Sequence, residues 1–239
     1  SSGPCTNMCG VSSVPYRIRR SDRARRARIQ VSAEGVEVVV PRRLSMSEVE
    51  PFVEEKRPWI ERTLRRIREA EAELSPPLLE DGGNVPFLGE KLVLRVQVEP
   101  ARTRPHVARR GRDLHVKVAD PGAGALRDAL ERWYRRQAHD EVGPRLQTAS
   151  ARAGTSYAAL QIRGQRTRWA SCSSTGAMSF NWRLLLAPPE ILDYVVEHEV
   201  VHLELHDHSP KFWAELEKRV PDYKTREQWL KRHGQSLRL

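Results

Sequence analysis

Cysteine is scarce in this chain: three in 239 residues, at Cys5, Cys9 and Cys172. An odd and widely spaced set cannot build a disulfide framework, and Cys5 with Cys9 offers two ligands, too few for a metal site alone. Aromatic residues make up only 6%. No apolar run approaches the ~20 residues that a membrane span needs, and the first thirty residues lack the apolar core of a secretory signal. These absences predict a soluble, cytoplasmic protein with no membrane partner. Residues 1–14 begin without methionine and are rich in serine, glycine and cysteine, so they read as a disordered leader or a cloning remnant. Lysine is sparse as well, seven of the 41 basic residues, which leaves 34 arginines in a chain of net charge +10. Guanidinium forks match phosphate and carboxylate, so a basic surface facing nucleic acid or a nucleotide is one reading; a compositional bias is the plainer one.

What is present reads as an α+β protein in two parts. Seven arginines fall between Arg17 and Arg28, followed by Ile29 and Val31, a turn at Gly35, then Val36, Val38 and Val40. That alternation predicts a β-hairpin ending at Pro41, and the arginines are either a nucleic-acid patch or a solvated strand face. Ser47 with Glu50 has the spacing of a capping box, and Pro58 should kink or restart the helix that follows. Ile60, Leu64 and Ile67 make its apolar stripe. Beyond Ser75-Pro76-Pro77, strands are expected at 85–88, 92–96 and 114–118, closed by Asp120-Pro121-Gly122. We therefore expect a β-rich domain with a kinked helix over 15–120 and a second domain over 121–239. That second domain should open with a helix over 125–151, packed against the helix that carries the chemistry.

The chemistry sits in His198-Glu199-Val200-Val201-His202, with His208 six residues on. The preceding run from Pro188-Pro189 is apolar enough for a buried helix with proline in its first turn. At 100° per residue His198 and His202 share one face one turn apart, with Glu199 beside them. Two imidazoles at that spacing can reach one zinc ion while the carboxylate stands next to the open position. The motif alone arises by chance, but a buried helix rarely tolerates so many ionisable groups without a partner such as a metal. Ser209-Pro210 reads as the start of the next helix, so the ligand helix should end near His206-Asp207. His208 would then swing back from the corner as third ligand. His206 is its rival, one turn after His202.

Upstream, Arg168-Trp169-Ala170-Ser171-Cys172-Ser173 and Met178-Ser179-Phe180-Asn181-Trp182-Arg183-Leu184 predict a hairpin leading into the ligand helix. A strand edge there can take an extended peptide. Arg168, Ser179 and Asn181 are candidates for orienting substrate; outward polar residues on a solvated strand are the plain alternative. Arg168, His206 or a hairpin N–H could face a developing oxyanion. Cys172 has no base partner in the pattern and reads as a small buried thiol.

Taken together, the segments 168–173, 180–184, 187–189, 198–203 and 207–213, with Phe87-Leu88-Gly89-Glu90-Lys91 and Trp59-Ile60, resemble the YgjP-like (DUF45) zinc metallopeptidase family, related to the SprT and WLM metalloproteases. The resemblance spans roughly residues 24–235. It implies a compact zincin-like (minigluzincin-type) domain with a small sheet packed on helices, His198, His202 and His208 on Zn2+, and Glu199 as the catalytic carboxylate. The chain departs from the family pattern at Ala170, usually glycine, and at Val201, often cysteine; neither is a ligand. The expected reaction is hydrolysis of a protein or peptide by a zinc-bound water that Glu199 activates. Two other readings are a metal-dependent nucleoside triphosphate pyrophosphatase and a nucleic-acid-binding module with a structural metal. The second of these leaves Glu199 without a use.

Overall fold

The computed structural model describes residues 14–32, 34–74, 76–165 and 168–239. The leader expected over 1–14, with Cys5 and Cys9, lies outside them except for Val14. The chain is α+β, as expected, and forms two compact units, Ser1–Leu74 and Ser75–Leu239.

In the first unit, strands β1 (Tyr16–Ser21), β2 (Arg28–Ser32) and β3 (Gly35–Pro41) precede one helix, α1 (Met46–Leu74). The hairpin read from the valine alternation is present: β2 runs antiparallel to β3 with Ile29 opposite Val38 and Val31 opposite Val36. Strand β1 pairs parallel along the other side of β3. Period-two alternation sends Val36, Val38 and Val40 inward, where Val49, Val53 and Ile60 of α1 meet them. The capping box forms two residues earlier than expected, at Ser45 and Glu48. The Glu48 carboxylate accepts from the Ser45 backbone N–H at 3.0 Å and from its hydroxyl at 2.7 Å. A hydrophobic staple explains the register, because Leu44 before the cap and Val49 after it belong to the same core cluster. The break expected at Pro58 does not occur. Pro51 and Pro58 both lie on the exposed side of a continuous helix, where water satisfies the carbonyls whose donors they lack.

The second unit starts with a four-stranded sheet in the order β4 (Asn84–Phe87), β5 (Glu90–Val98), β7 (Asp113–Val118), β6 (His106–Arg110). Its inner face, including Val85, Phe87, Leu92, Leu94, Leu114 and Val116, is buried. Helix α2 (Ala123–Arg152) covers it: Trp133 lies 5.4 Å from Phe87, and the Tyr134 hydroxyl donates to the Pro86 carbonyl. The boundary expected at 120 therefore falls after Leu74, since this sheet needs α2 to bury its apolar side. A second sheet has the order β8 (Ala159–Arg163), β10 (Ala177–Asn181), β9 (Ala170–Cys172), with β10 parallel to β8 and antiparallel to β9. A 3-10 helix over Trp182–Leu186 follows, then α3 (Pro189–Val201), α4 (Pro210–Arg219) and α5 (Tyr223–His233). Helix α3 packs against α2, α4, α5 and β9. Among the described residues no helix is long and apolar enough to cross a membrane.

Candidate metal centre

Helix α3 is buried nearly all round, with Ile191, Leu192, Tyr194, Val195, Val196, Glu197, Glu199, Val200 and Val201 inside. Its start is set by proline in the first turn and Glu190 near the helix N-terminus. Its end comes earlier than 206. Three-residue turns, Leu203 N–H to Val200 O and Glu204 N–H to Val201 O, close it just after Val201, and His202 becomes the cap. That early stop leaves residues 203–209 to double back, with α4 beginning at Pro210.

The reversal carries His208 to the two helical histidines. One ring nitrogen from each of His198, His202 and His208 lies within 4.8 Å of the others, and the Nε2 atoms of His198 and His208 are 3.1 Å apart. His206 is exposed and outside this group. The first turn of α4 supplies the floor, since Phe212, fully buried, sits 4.9, 4.5 and 4.7 Å from the rings of His198, His202 and His208. Trp213 stacks on His208 at 5.5 Å and on Tyr223 at 5.5 Å.

The electrostatics suit a cation. Burial, then the neighbouring His202 and His208, push His198 down to about 3, so it is neutral at physiological pH with a lone pair to offer. Burial also lowers His202. Its Nδ1 lies 2.9 Å from the Leu205 carbonyl; with the proton placed there, Nε2 is left as the acceptor atom. Glu199 is buried, and one carboxylate oxygen has no hydrogen-bond partner. Burial raises it to about 7, and the Cys172 backbone N–H opposes that shift. Three convergent imidazoles could hold a metal ion, and Glu199, next in sequence to His198, keeps one buried carboxylate oxygen without a partner.

The other candidates are placed differently. Asn181 is buried, and its amide donates to the Gln165 carbonyl at 2.7 Å and the Arg168 carbonyl at 3.2 Å while its oxygen caps Arg183 N–H at 3.1 Å. With both donors committed, it ties Gln165 and Arg168 to the end of β10, which had been expected to run on to Leu184. The Ser179 hydroxyl bonds Ser171 across β10 and β9 at 2.9 Å. Arg168 is exposed. Sequence reasoning missed the aromatic floor, although Phe212 four residues after His208 is a legible spacing. It also missed Glu197, buried in α3 and paired with Arg152 of α2 and, at 3.9 Å, Arg219 of α4. That pairing ties the ligand helix to both neighbours.

No curated protein matches the chain. Among solved structures, the crystal structure of the metallopeptidase zymogen of Pyrococcus abyssi abylysin is similar at 28% identity over 36% of this chain and 89% of that one, with a TM-score of 0.34. The model of the YgjP-like metallopeptidase domain matches residues 25–233, and the chain belongs to that family.

Proposed function

We propose that the chain is a zinc-dependent peptidase in which His198, His202 and His208 hold the cation and Glu199 moves the proton. The observation that carries this reading is the convergence of three imidazole nitrogens within 4.8 Å, with the buried Glu199 next in sequence to one of them. Three neutral nitrogen donors suit zinc, whose catalytic sites keep three protein ligands and one open position. When bound, zinc supplies Lewis acidity, polarising a peptide carbonyl and bringing the pKa of a coordinated water toward ~7.

The chain's own residues do the rest. Glu199 accepts a proton from the attacking water and hands it to the departing amine, and a carboxyl poised at about 7 can do both near neutral pH. Strand β9 is a sheet edge against α3. Ser173 N–H bonds Ala177 O at 2.9 Å and Ser171 is in register with Ser179, so Ser171 and Ser173 bond inward to β10. Ala170 and Cys172 then present their N–H and C=O groups to the open side. The Cys172 N–H already faces Glu199, which sets where an added peptide strand would meet the proton carrier. We read a short sheet edge laid along a ligand helix as the zincin-like, minigluzincin-type plan. Phe212 and Trp213 hold the ring of His208 and so act as positioning residues.

The test is a substrate panel. Zinc-loaded protein should cleave casein and leave nucleoside triphosphates intact. Glu199→Gln should lower the casein rate by about 10²–10⁴-fold while retaining one zinc per chain. Triphosphate hydrolysis lost in that variant, with casein untouched, would replace the peptidase reading by the pyrophosphatase one.

A further inference from the structure

We propose that the three-stranded sheet of the first unit binds the phosphate backbone of a nucleic acid through the arginines between Arg17 and Arg28. Arg17, Arg19, Arg20, Arg23, Arg25, Arg26 and Arg28 are all exposed, and Asp22 is the one acidic residue in that stretch. Alternation along β1 commits Tyr16 and Ile18 to the core with α1, which turns Arg17 and Arg19 to the opposite face, where both are exposed although Val39 at its centre is covered. Across the sheet Arg19 and Arg28 both register with Val39, one from each side. Adjacent strands are ~4.8 Å apart, so these two arginines stand about 10 Å apart on one face, and Arg17 stands ~6.7 Å from Arg19 along β1. The loop then adds Arg23, Arg25 and Arg26 at the end of the same strand.

A solvated run and a phosphate surface differ in where the neutralising carboxylates go. On α1, Arg57 pairs with Glu54 and Lys56 with Glu55, and Arg62, Arg65 and Arg66, which make no ion pair among the described residues, share their helix with Glu61, Glu69, Glu71 and Glu73, whereas the stretch from Arg17 to Arg28 has Asp22 alone. On the sheet, Glu37 takes Arg19 at 3.0 Å and Asp22 takes Arg42 at 2.7 Å. Arg20 donates to the carbonyls of Arg42 and Leu44 at 2.7 and 2.9 Å, which fixes the guanidinium without cancelling its charge. Among the described residues no ion pair involves Arg17, Arg23, Arg25, Arg26 or Arg28. Every cation in this stretch is arginine, the side chain that grips phosphate with two parallel hydrogen bonds. Among the described residues, the strand positions sharing the face of Arg17 and Arg19 carry no aromatic platform for stacking bases, so recognition is of the backbone and independent of sequence. That face also offers no exposed apolar side chain to sink into a bilayer, because Val39 is fully buried.

The experiment is fluorescence anisotropy of the full chain with a labelled random-sequence DNA duplex between 50 and 200 mM salt. The triple variant Arg17→Gln, Arg25→Gln, Arg26→Gln removes three unpaired charges and no hydrogen bond that holds the fold. A second triple variant, Arg62→Gln, Arg65→Gln, Arg66→Gln, removes the same net charge from the solvent side of α1. The first should weaken binding more than tenfold and reduce the slope of log K against log salt by about 2.7, three contacts at ~0.9 each. The second should change affinity less than about twofold, and both should keep the parent melting temperature. Equal weakening by the two variants would mean bulk charge and overturn the proposal. So would tighter binding to phosphatidylserine vesicles or polyglutamate than to DNA, or no salt-dependent DNA binding by the parent.

Discussion

His198, His202 and His208 differ in what holds them. His198 is wedged among Tyr194, Phe212 and its two partner rings, His202 is tied through Nδ1 to the Leu205 carbonyl, and His208 leans on Trp213 at an exposed corner. Metal capture should therefore be sensitive to His208 and indifferent to His206. In a zinc stoichiometry assay, His208→Ala should fall well below one metal per chain and His206→Ala should stay near one; the reverse would overturn the ligand set. The two helical histidines and Glu199 were readable from four-residue spacing, because a helix converts that spacing into a shared face. His208 was readable only through Ser209-Pro210, which marks a new helix and hence a corner before it. Asn181 shows where such reading fails. An asparagine on a strand looks available for substrate, and only the carbonyls of Gln165 and Arg168, distant in sequence, reveal that its donors are already spent.

Turns, more than strands or helices, carry the strain of this chain. The β4–β5 turn holds Leu88 and Gly89 at φ 46° and 82°, and Leu88 N–H donates to the Leu185 carbonyl at 2.7 Å. A Cβ on Gly89 would meet the Pro189 ring at 3.3 Å, so this turn seats directly on the first residue of the ligand helix. Gly89→Ala combines left-handed strain with that contact and should cost about 1–2 kcal/mol. At this size that is a fall of roughly 2–8 °C in melting temperature, measurable by thermal denaturation. Leu88 was expected to close a strand at 85–88, and the seat of this turn against Pro189, a hundred residues later, was not legible either. The same limit applies to α1. The cap register was decided by Leu44 and Val49 meeting in the core, and the prolines were tolerated because both face water. Local propensity sees neither fact.

At the scale of the molecule, charge rather than apolar content sets how the fold responds to its surroundings. Glu48 is held below the usual carboxylate range by hydrogen bonds from Ser45, Glu99 by Lys117 and Arg102, Glu215 by Lys218 and Arg219, and Asp222 by Arg226. A carboxyl depressed by folding adds stability that is complete above its unfolded value, about 4, and fades as pH drops through the folded value. The urea midpoint should therefore decline below about pH 4.5 through these groups. Because none of the four is buried, 0.5 M salt should flatten that decline; a salt-independent acid transition would contradict this account. The division into two units was hidden from composition, since both halves are basic and the β4–β7 sheet reads like the hairpin before it.

The early end of α3 at Val201 has a consequence for motion. Because two of the three imidazoles ride that helix while the third precedes α4, an ion held by all three would clasp residues 203–209 between them, with Phe212 packed against the three rings. Stripping it with a chelator should accelerate amide hydrogen exchange in 203–213 and leave 123–152 as protected as before.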